Sequence, residues 1–287
     1  MAFTSGTATN YKDLLARMVT FATANGWAVV GTQTAESVYL KGSGTAGLDE
    51  IYVGIETYED TYNNRYNWLM AGMWGWREGR TIKTQPRSSA FEMTADTGSV
   101  VGYFHNTSIP YWIACTPRRI ILCANVGTTY QQIHLGFLTV PATDAQYPYP
   151  LFIGGSWNSK ILNTSGTLYG FWTSGNSFSR LSIPGGAWGE KYPSTESYKK
   201  PVLDVVSLYE SWNNSMLTAM DSSYLLDPIY VVSNNAKTIF GQIEGLYRVT
   251  GFNNLSENII TVGGVNYIVF QDGSRTGAGD YCALRMN

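Results

Sequence analysis

Three groups of side chains in this sequence are of types that carry out chemistry. The first is a set of carboxylates, Glu56, Glu59 and Asp60, placed shortly before Trp68, Trp74 and Trp76. Glycoside hydrolysis uses two carboxyl groups flanking the scissile sugar bond, and sugar sites combine such acids with aromatic platforms. A cell-wall polysaccharide hydrolase is one reading of this group. A glycan-binding module that uses only the rings, with no turnover, is another. The second group is nucleophilic. Only His105 and His134 are present to activate a serine or one of Cys115, Cys123 and Cys282, and neither G-x-S-x-G nor H-E-x-x-H occurs. His134 lies between Ile133 and Leu135, and His105 ends a strand-like run, so both read as structural or surface histidines. Cys115 and Cys123 fall on the two arms of one expected hairpin and read as a buried thiol pair. Three cysteines without C-x-x-C spacing argue against structural zinc and against a disulfide framework. The third group is Gly42-Ser43-Gly44-Thr45-Ala46-Gly47, a G-x-G-x-x-G string after a strand-like run. A dinucleotide site needs the last glycine to open a helix. Residues 48–55 instead alternate with β-branched side chains, so the string reads as a hairpin loop. No cofactor, no metal and no catalytic residue are expected.

The elements that position these residues are mostly strands. Tyr11, Leu14, Leu15, Met18 and Phe21, with Ala22, fall at helical spacing between a Thr9/Asn10 cap and an Asn25-Gly26 stop, and Trp27 is expected to fold back on that apolar stripe. Residues 28–30, 37–41 and 50–57 are strand-like. Residues 58–80 crowd six aromatic rings, and their Asn-Asn and Gly positions suggest a loop-rich surface segment. Residues 90–93 and 100–105 suggest strands. Residues 111–115 and 119–126 form an expected hairpin over Thr116-Pro117-Arg118. Prolines from Pro141 to Pro150 rule out a central strand there, and Tyr147 and Tyr149 are expected to keep their rings near the surface. Residues 154–200 suggest short strands in long loops, and residues 202–219 suggest a strand with a short helix. Residues 238–240, 246–249, 258–262, 265–270 and 280–284 alternate as strands, with Gly263-Gly264 a two-residue hairpin turn. The expected fold is α+β, predominantly antiparallel β. It has an N-terminal amphipathic helix and a main domain over residues 1–200. A small C-terminal sheet or barrel-like unit occupies residues 201–287.

Composition narrows the partners. Of 287 residues only 14% are charged, while aromatics reach 14% with 20 Tyr and 9 Trp. Ordinary soluble domains carry about 25% charge. Tyr- and Trp-rich, charge-poor surfaces suit the cores of protein interfaces. A net charge of −2, with Arg118-Arg119 and Lys199-Lys200 as the dense basic runs, argues against nucleic acid. No run approaches the roughly 18 apolar residues of a membrane span, and the first ten residues lack a secretory pattern, so membrane insertion is not expected and synthesis in a cytoplasm is. Residues 111–155 contain just Arg118, Arg119 and Asp144 as formal charges. A stretch this apolar requires a cover, either the rest of its own fold or another protein.

Several strings recur in a fixed order along the chain: Leu14-Leu15, Gly26-Trp27, Ile51-Tyr52-Val53-Gly54-Ile55, Tyr66-Asn67-Trp68, Ile109-Pro110-Tyr111-Trp112, Arg118-Arg119-Ile120-Ile121, Leu135-Gly136-Phe137 and the run from Tyr147 to Gly155. Gly245-Leu246-Tyr247-Arg248-Val249 and Ala283-Leu284-Arg285 close the pattern. In these strings the chain resembles a family of virion structural proteins of tailed bacteriophages and prophages, encoded among tail and baseplate genes. The resemblance implies a particle component that packs against other virion proteins and copies of itself, with no catalytic residues to carry over. Tyr62, Tyr66, Trp68, Trp74, Trp76, Tyr147 and Tyr149 are the candidate partner-binding residues.

Overall fold

The computed structural model describes residues 1–90, 97–159, 170–172, 177–191, 203–207, 224–233 and 238–287. Strand β1 (Ala2–Ala8) leads into helix α1 (Tyr11–Thr23). There follow β2 (Trp27–Val29), β3 (Ser37–Gly42), β4 (Ile51–Asp60), β5 (Arg65–Met73) and β6 (Thr97–Phe104). Next come β7 (Ile109–Thr116), β8 (Arg119–Val126), β9 (Thr129–Phe137), β10 (Leu151–Gly155), β11 (Trp157–Ser159), β12 (Phe178–Ser182) and β13 (Trp188–Lys191). The chain ends with β14 (Leu203–Ser207), β15 (Asp227–Ser233), β16 (Ile239–Val249), β17 (Ile259–Val262), β18 (Val265–Gln271) and β19 (Tyr281–Arg285). About half of the chain is strand, all of it paired antiparallel, so the fold is α+β and mostly antiparallel β.

The strands form three sheets. A seven-stranded sheet runs β1-β7-β8-β9-β10-β12-β13, a six-stranded one β11-β6-β5-β4-β3-β2, and a second six-stranded one β14-β15-β16-β19-β18-β17. The seven-stranded sheet is the central layer. Its Ile113, Cys115, Ile120, Leu122, Ile133, Leu135 and Ile153 join one core with α1 and with Leu40, Val53, Trp68 and Met70 of the neighbouring sheet. Its Trp112, Ala114, Ile121, Cys123 and Phe152 join a second core with Ile229, Ile243, Phe270 and Leu284 of the C-terminal sheet. Side chains alternate across a strand, so a sheet covered on both faces needs apolar residues at every position. That accounts for the largely apolar run over residues 111–137, whose charges are Arg118 and Arg119 at the β7–β8 turn, and the cover is the chain's own fold. Each fully buried Ile, Leu or Val contributes about 1.5–3 kcal/mol.

Local signals explain the boundaries. The Asn10 side chain accepts from the N–H groups of Lys12 at 3.0 Å and Asp13 at 2.9 Å, and Asp13 accepts in return from the Thr9 N–H at 2.8 Å. This reciprocal cap starts α1 where the sequence placed it. Gly26, with φ +94°, turns the chain, and Trp27 buries its ring while donating Nε1–H to the Thr116 carbonyl at 2.8 Å. Thr116 pairs with Arg119, leaving Pro117-Arg118 as a two-residue turn between β7 and β8. Gly263 and Gly264, at φ +59° and +78°, make the equally short turn from β17 to β18.

Three expectations change. Residues 65–73 are not surface loop but a strand with strand neighbours on both sides, paired with β4 and β6. Gly72, which suggested a loop, is there because a Cβ would stand 2.8 Å from Leu151 of the central sheet. Residues 239–249 form one strand instead of two. Gly245 at φ +94° and register shifts against β15 break its alternation, which hides the continuity in the sequence. Strand β9 escaped the sequence reading because Gln131, Gln132 and His134 interrupt it, although all three are buried. Residues 91–93, about half of 154–200 and most of 202–219 lie outside the described residues; the described part of 154–200 holds the short strands β11, β12 and β13. The described part of 202–219 is β14, at Leu203–Ser207, which opens the C-terminal sheet.

Candidate interaction surface

The residues expected to meet a partner separate into three environments. Trp68 is 0% exposed, stacks on Phe104 with centroids 4.5 Å apart and donates Nε1–H to the Tyr11 carbonyl. Tyr66 is buried beside Tyr11, at 5.3 Å. Tyr147 is 4% exposed, its hydroxyl donating to the Ser182 carbonyl at 2.5 Å. These three are core residues and cannot be contact residues without rearranging strands. The polar ends of Trp68 and Tyr147 reach backbone carbonyls, which is how a buried Tyr or Trp is satisfied. Proline keeps residues 141–150 out of a strand, as expected, yet the Tyr147 ring turns inward. Tyr62 is the opposite case, 94% exposed in the turn between β4 and β5.

Trp74, Trp76 and Tyr149 are half-buried. The Arg87 guanidinium lies 4.5 Å over the Trp74 ring, and Tyr149 packs beside it at 5.2 Å. Arg87 itself donates to the Gly186 carbonyl at 3.3 Å, and Trp188 Nε1–H donates to the Arg87 carbonyl at 3.0 Å. Tyr149 meets Phe137 edge-on and donates its hydroxyl to the Glu50 carbonyl. Trp76 packs on Gly31, where a Cβ would stand 2.6 Å from the ring. The cluster pins the 74–89 segment to the central sheet. A sugar platform needs an open ring face, and Arg87 covers one face of Trp74.

The chemistry-bearing groups are each engaged within the fold. Glu56 accepts from the Tyr39 hydroxyl at 3.2 Å and the Ile82 N–H at 3.1 Å. Glu59 accepts from the Tyr11 hydroxyl at 2.6 Å and pairs with Lys12 at 3.1 Å, and these two bonds hold its carboxyl below the usual range. Asp60 is lowered by the Asn63 amide and N–H and pairs with Arg65, closing the β4–β5 turn. A general acid would need a raised pKa, and neither Glu59 nor Asp60 has one. His134 donates Nδ1–H to the Phe152 carbonyl at 3.1 Å between the rings of Phe152 and Phe171, and burial pushes its pKa down to about 3. His105 hydrogen-bonds the Tyr103 hydroxyl at 2.9 Å. Cys115 and Cys123 do not pair across the hairpin: Cys115 faces the first core and Cys123 the second, where Cys282 also lies. The Gly42–Gly47 string ends β3 and turns into β4 through a single 3-10 turn, with no helix after it.

Polar bonds also stitch the central and C-terminal layers. Arg119, almost fully buried, pairs with Glu244 at 2.9 Å and donates to Thr139 Oγ1 at 2.9 Å. The Tyr130 hydroxyl donates to Glu257 at 2.6 Å, and Gln132 donates to the Gln271 carbonyl at 2.6 Å.

Compared with protein-family models and with curated proteins, the chain matches none of them. No helix among the described residues is long and apolar enough to cross a membrane. Tyr62 apart, the sequence reading overlooked the large apolar side chains that the fold leaves in solvent. Seven are exposed among the described residues, and five of these, Leu225, Ile239, Phe252, Leu255 and Ile259, lie along the C-terminal sheet and its loops. Phe252, Leu255 and Ile259 sit within one stretch that leads into the edge strand β17. The signal available beforehand was two apolar residues, Phe252 and Leu255, in a glycine- and asparagine-rich loop, where solvation favours polar ones.

Proposed function

We propose that the protein is a structural component of a tailed-phage virion, in the tail or baseplate, acting by packing against neighbouring subunits without catalysis. One observation carries this reading: exposed large apolar side chains are concentrated on the C-terminal sheet. Leu255 is 68% exposed, Ile259 59% and Phe252 53%, around an open sheet edge. Exposed apolar groups gathered in one region favour a protein contact over free solvent. The tight internal engagement of Glu59, Asp60, His134 and the cysteines supports a scaffold role, and so does the low charge of the chain. The contact region proposed here centres on residues 252–259, with Tyr62 and the half-buried Trp74, Trp76 and Tyr149 as a second, weaker surface.

The test is to purify particles from a strain that encodes the protein and to locate it in them by mass spectrometry and by particle reconstruction. A companion variant, Phe252→Ser with Leu255→Ser and Ile259→Ser, should fold and fail to join particles. Absence of the wild-type chain from purified particles refutes the virion assignment. Normal incorporation of the triple variant refutes the contact region.

A further inference from the structure

The three sheets end in six edge strands, and five of them are short, irregular or charged. Strand β2 has three residues, and β11 has three with a register shift. Strands β13 and β17 have four residues, β14 has five, and the sequences of β13 and β14 include charged residues. Short, bulged and charged edges are how folded proteins avoid pairing with other chains. Strand β1 has none of these protections. It runs seven residues, AFTSGTA, with no charge and no proline, and it pairs with β7 without interruption from Ala2–Cys115 to Ala8–Ile109.

Among the described residues, its outer side is open. Ser5, Gly6 and Thr7 are exposed. Among the described residues, no hydrogen bond joins Ala2–Ala8 to anything beyond β7. In a paired edge strand, alternate residues direct their N–H and C=O groups away from the sheet, and these can be satisfied in full by another strand. Helix α1 packs against the first core, so the inner face of this edge is already covered.

We propose that β1 is a self-pairing edge, through which two copies of the chain join antiparallel along Ala2–Ala8 with a two-fold axis at Ser5. The inference rests on β1 alone and is independent of the particle assignment. An isologous contact needs a surface complementary to itself. With the axis at Ser5, Phe3 of one copy lies opposite Thr7 of the other, and Thr4 lies opposite Gly6. Ala2 meets Ala8. No charged residue lies in the paired segment, whereas the sequences of β13 and β14 both carry charge. Phe3, half-buried against the second core, gains cover from the second copy.

Charge exchange at Ser5 tests the proposal on the full chain by sedimentation velocity across a concentration series. Wild type should pass from monomer to dimer. Ser5→Lys and Ser5→Glu each place like charges at the axis and should weaken the dimer by about tenfold or more, while an equimolar mixture of the two recovers it. Near-ultraviolet circular dichroism verifies that both variants stay folded. Hydrogen exchange on wild type, which needs no variant, should show amides within Ala2–Ala8 becoming protected as concentration rises. A wild type that remains monomeric without such protection overturns the proposal. So does a Ser5→Lys dimer as tight as wild type, or a mixture no tighter than its components.

Discussion

Acid should destabilise this fold through one imidazole. His134 is fully buried between Phe152 and Phe171, and its Nδ1–H is held by the Phe152 carbonyl. A carbonyl can only accept, so Nδ1 carries the proton, and Nε2 has no partner among the described residues. Protonating Nε2 would put a charge among aromatic rings, with the Arg119 guanidinium adding repulsion. Burial first, and Arg119 second, therefore lower the pKa from 6.5 to about 3. Between those values the unfolded chain binds a proton at this site and the folded chain does not. The contribution of His134 to stability is present in full above about pH 6.5 and declines as pH falls toward about 3. The whole gap corresponds to about 5 kcal/mol, and the part between about pH 7 and about pH 4.5 to roughly 2.5 kcal/mol. Urea unfolding followed by tryptophan fluorescence at those two pH values, on wild type and His134→Gln, isolates the effect. Gln does not titrate, so whatever it costs at neutral pH, its acid loss should be smaller than that of wild type by roughly 2.5 kcal/mol. Carboxylates such as Glu59 and Asp60, and His105, contribute alike to both proteins. Equal acid losses in the two would refute the argument that a neutral imidazole is locked between Phe152 and Phe171.

Two further outcomes follow from the central sheet. Gly136 sits in β9 at φ +129°, where a Cβ would stand 2.3 Å from the Arg118 carbonyl oxygen and 2.7 Å from Arg119 Cα, so Gly136→Ala should cost about 3 kcal/mol in urea unfolding; a loss under about 1 kcal/mol would show that the hairpin yields there. Cys115, Cys123 and Cys282 are buried, with burial pushing the Cys115 thiol up to about 12, so a thiol reagent should label none of them in the native protein and all three after denaturation; rapid labelling of one would show that its core opens.

The helix and the hairpins were legible because their signals are local. Asn10 and Gly26 bracket α1, Pro117-Arg118 and Gly263-Gly264 close two-residue turns, and each signal acts within a few bonds. The aromatic segment was misread because ring count does not specify exposure. Tyr62 and Tyr66 lie four residues apart, yet one stands in solvent at a turn and the other points into the first core. Gly72 suggested a loop and proved to be clearance for Leu151, a residue far along the chain. Buried Gln131 and Gln132 concealed β9, since their partners are supplied by other segments: Ser156 and the Tyr103 N–H for one, Trp172 and the Gln271 carbonyl for the other. The contact candidates at Phe252, Leu255 and Ile259 were invisible for the converse reason, because apolar residues in a strand-rich region are assumed to be buried until the layers are known.

By itself, the sequence determined that this is a mostly antiparallel β protein with one capped helix, and that the charge-poor residues 111–155 require a cover. Alternation and turn chemistry are properties of neighbouring residues, so they survive without a structure. What covers those residues was decided by the tertiary structure alone. A strand that is apolar at every position has lost the period that tells one side from the other, and nothing local distinguishes a layer of the same chain from a foreign one. Here the second layer is the C-terminal sheet, fastened through Arg119–Glu244 and Tyr130–Glu257. That packing leaves the open edge at β1 and the apolar residues near β17 facing outward.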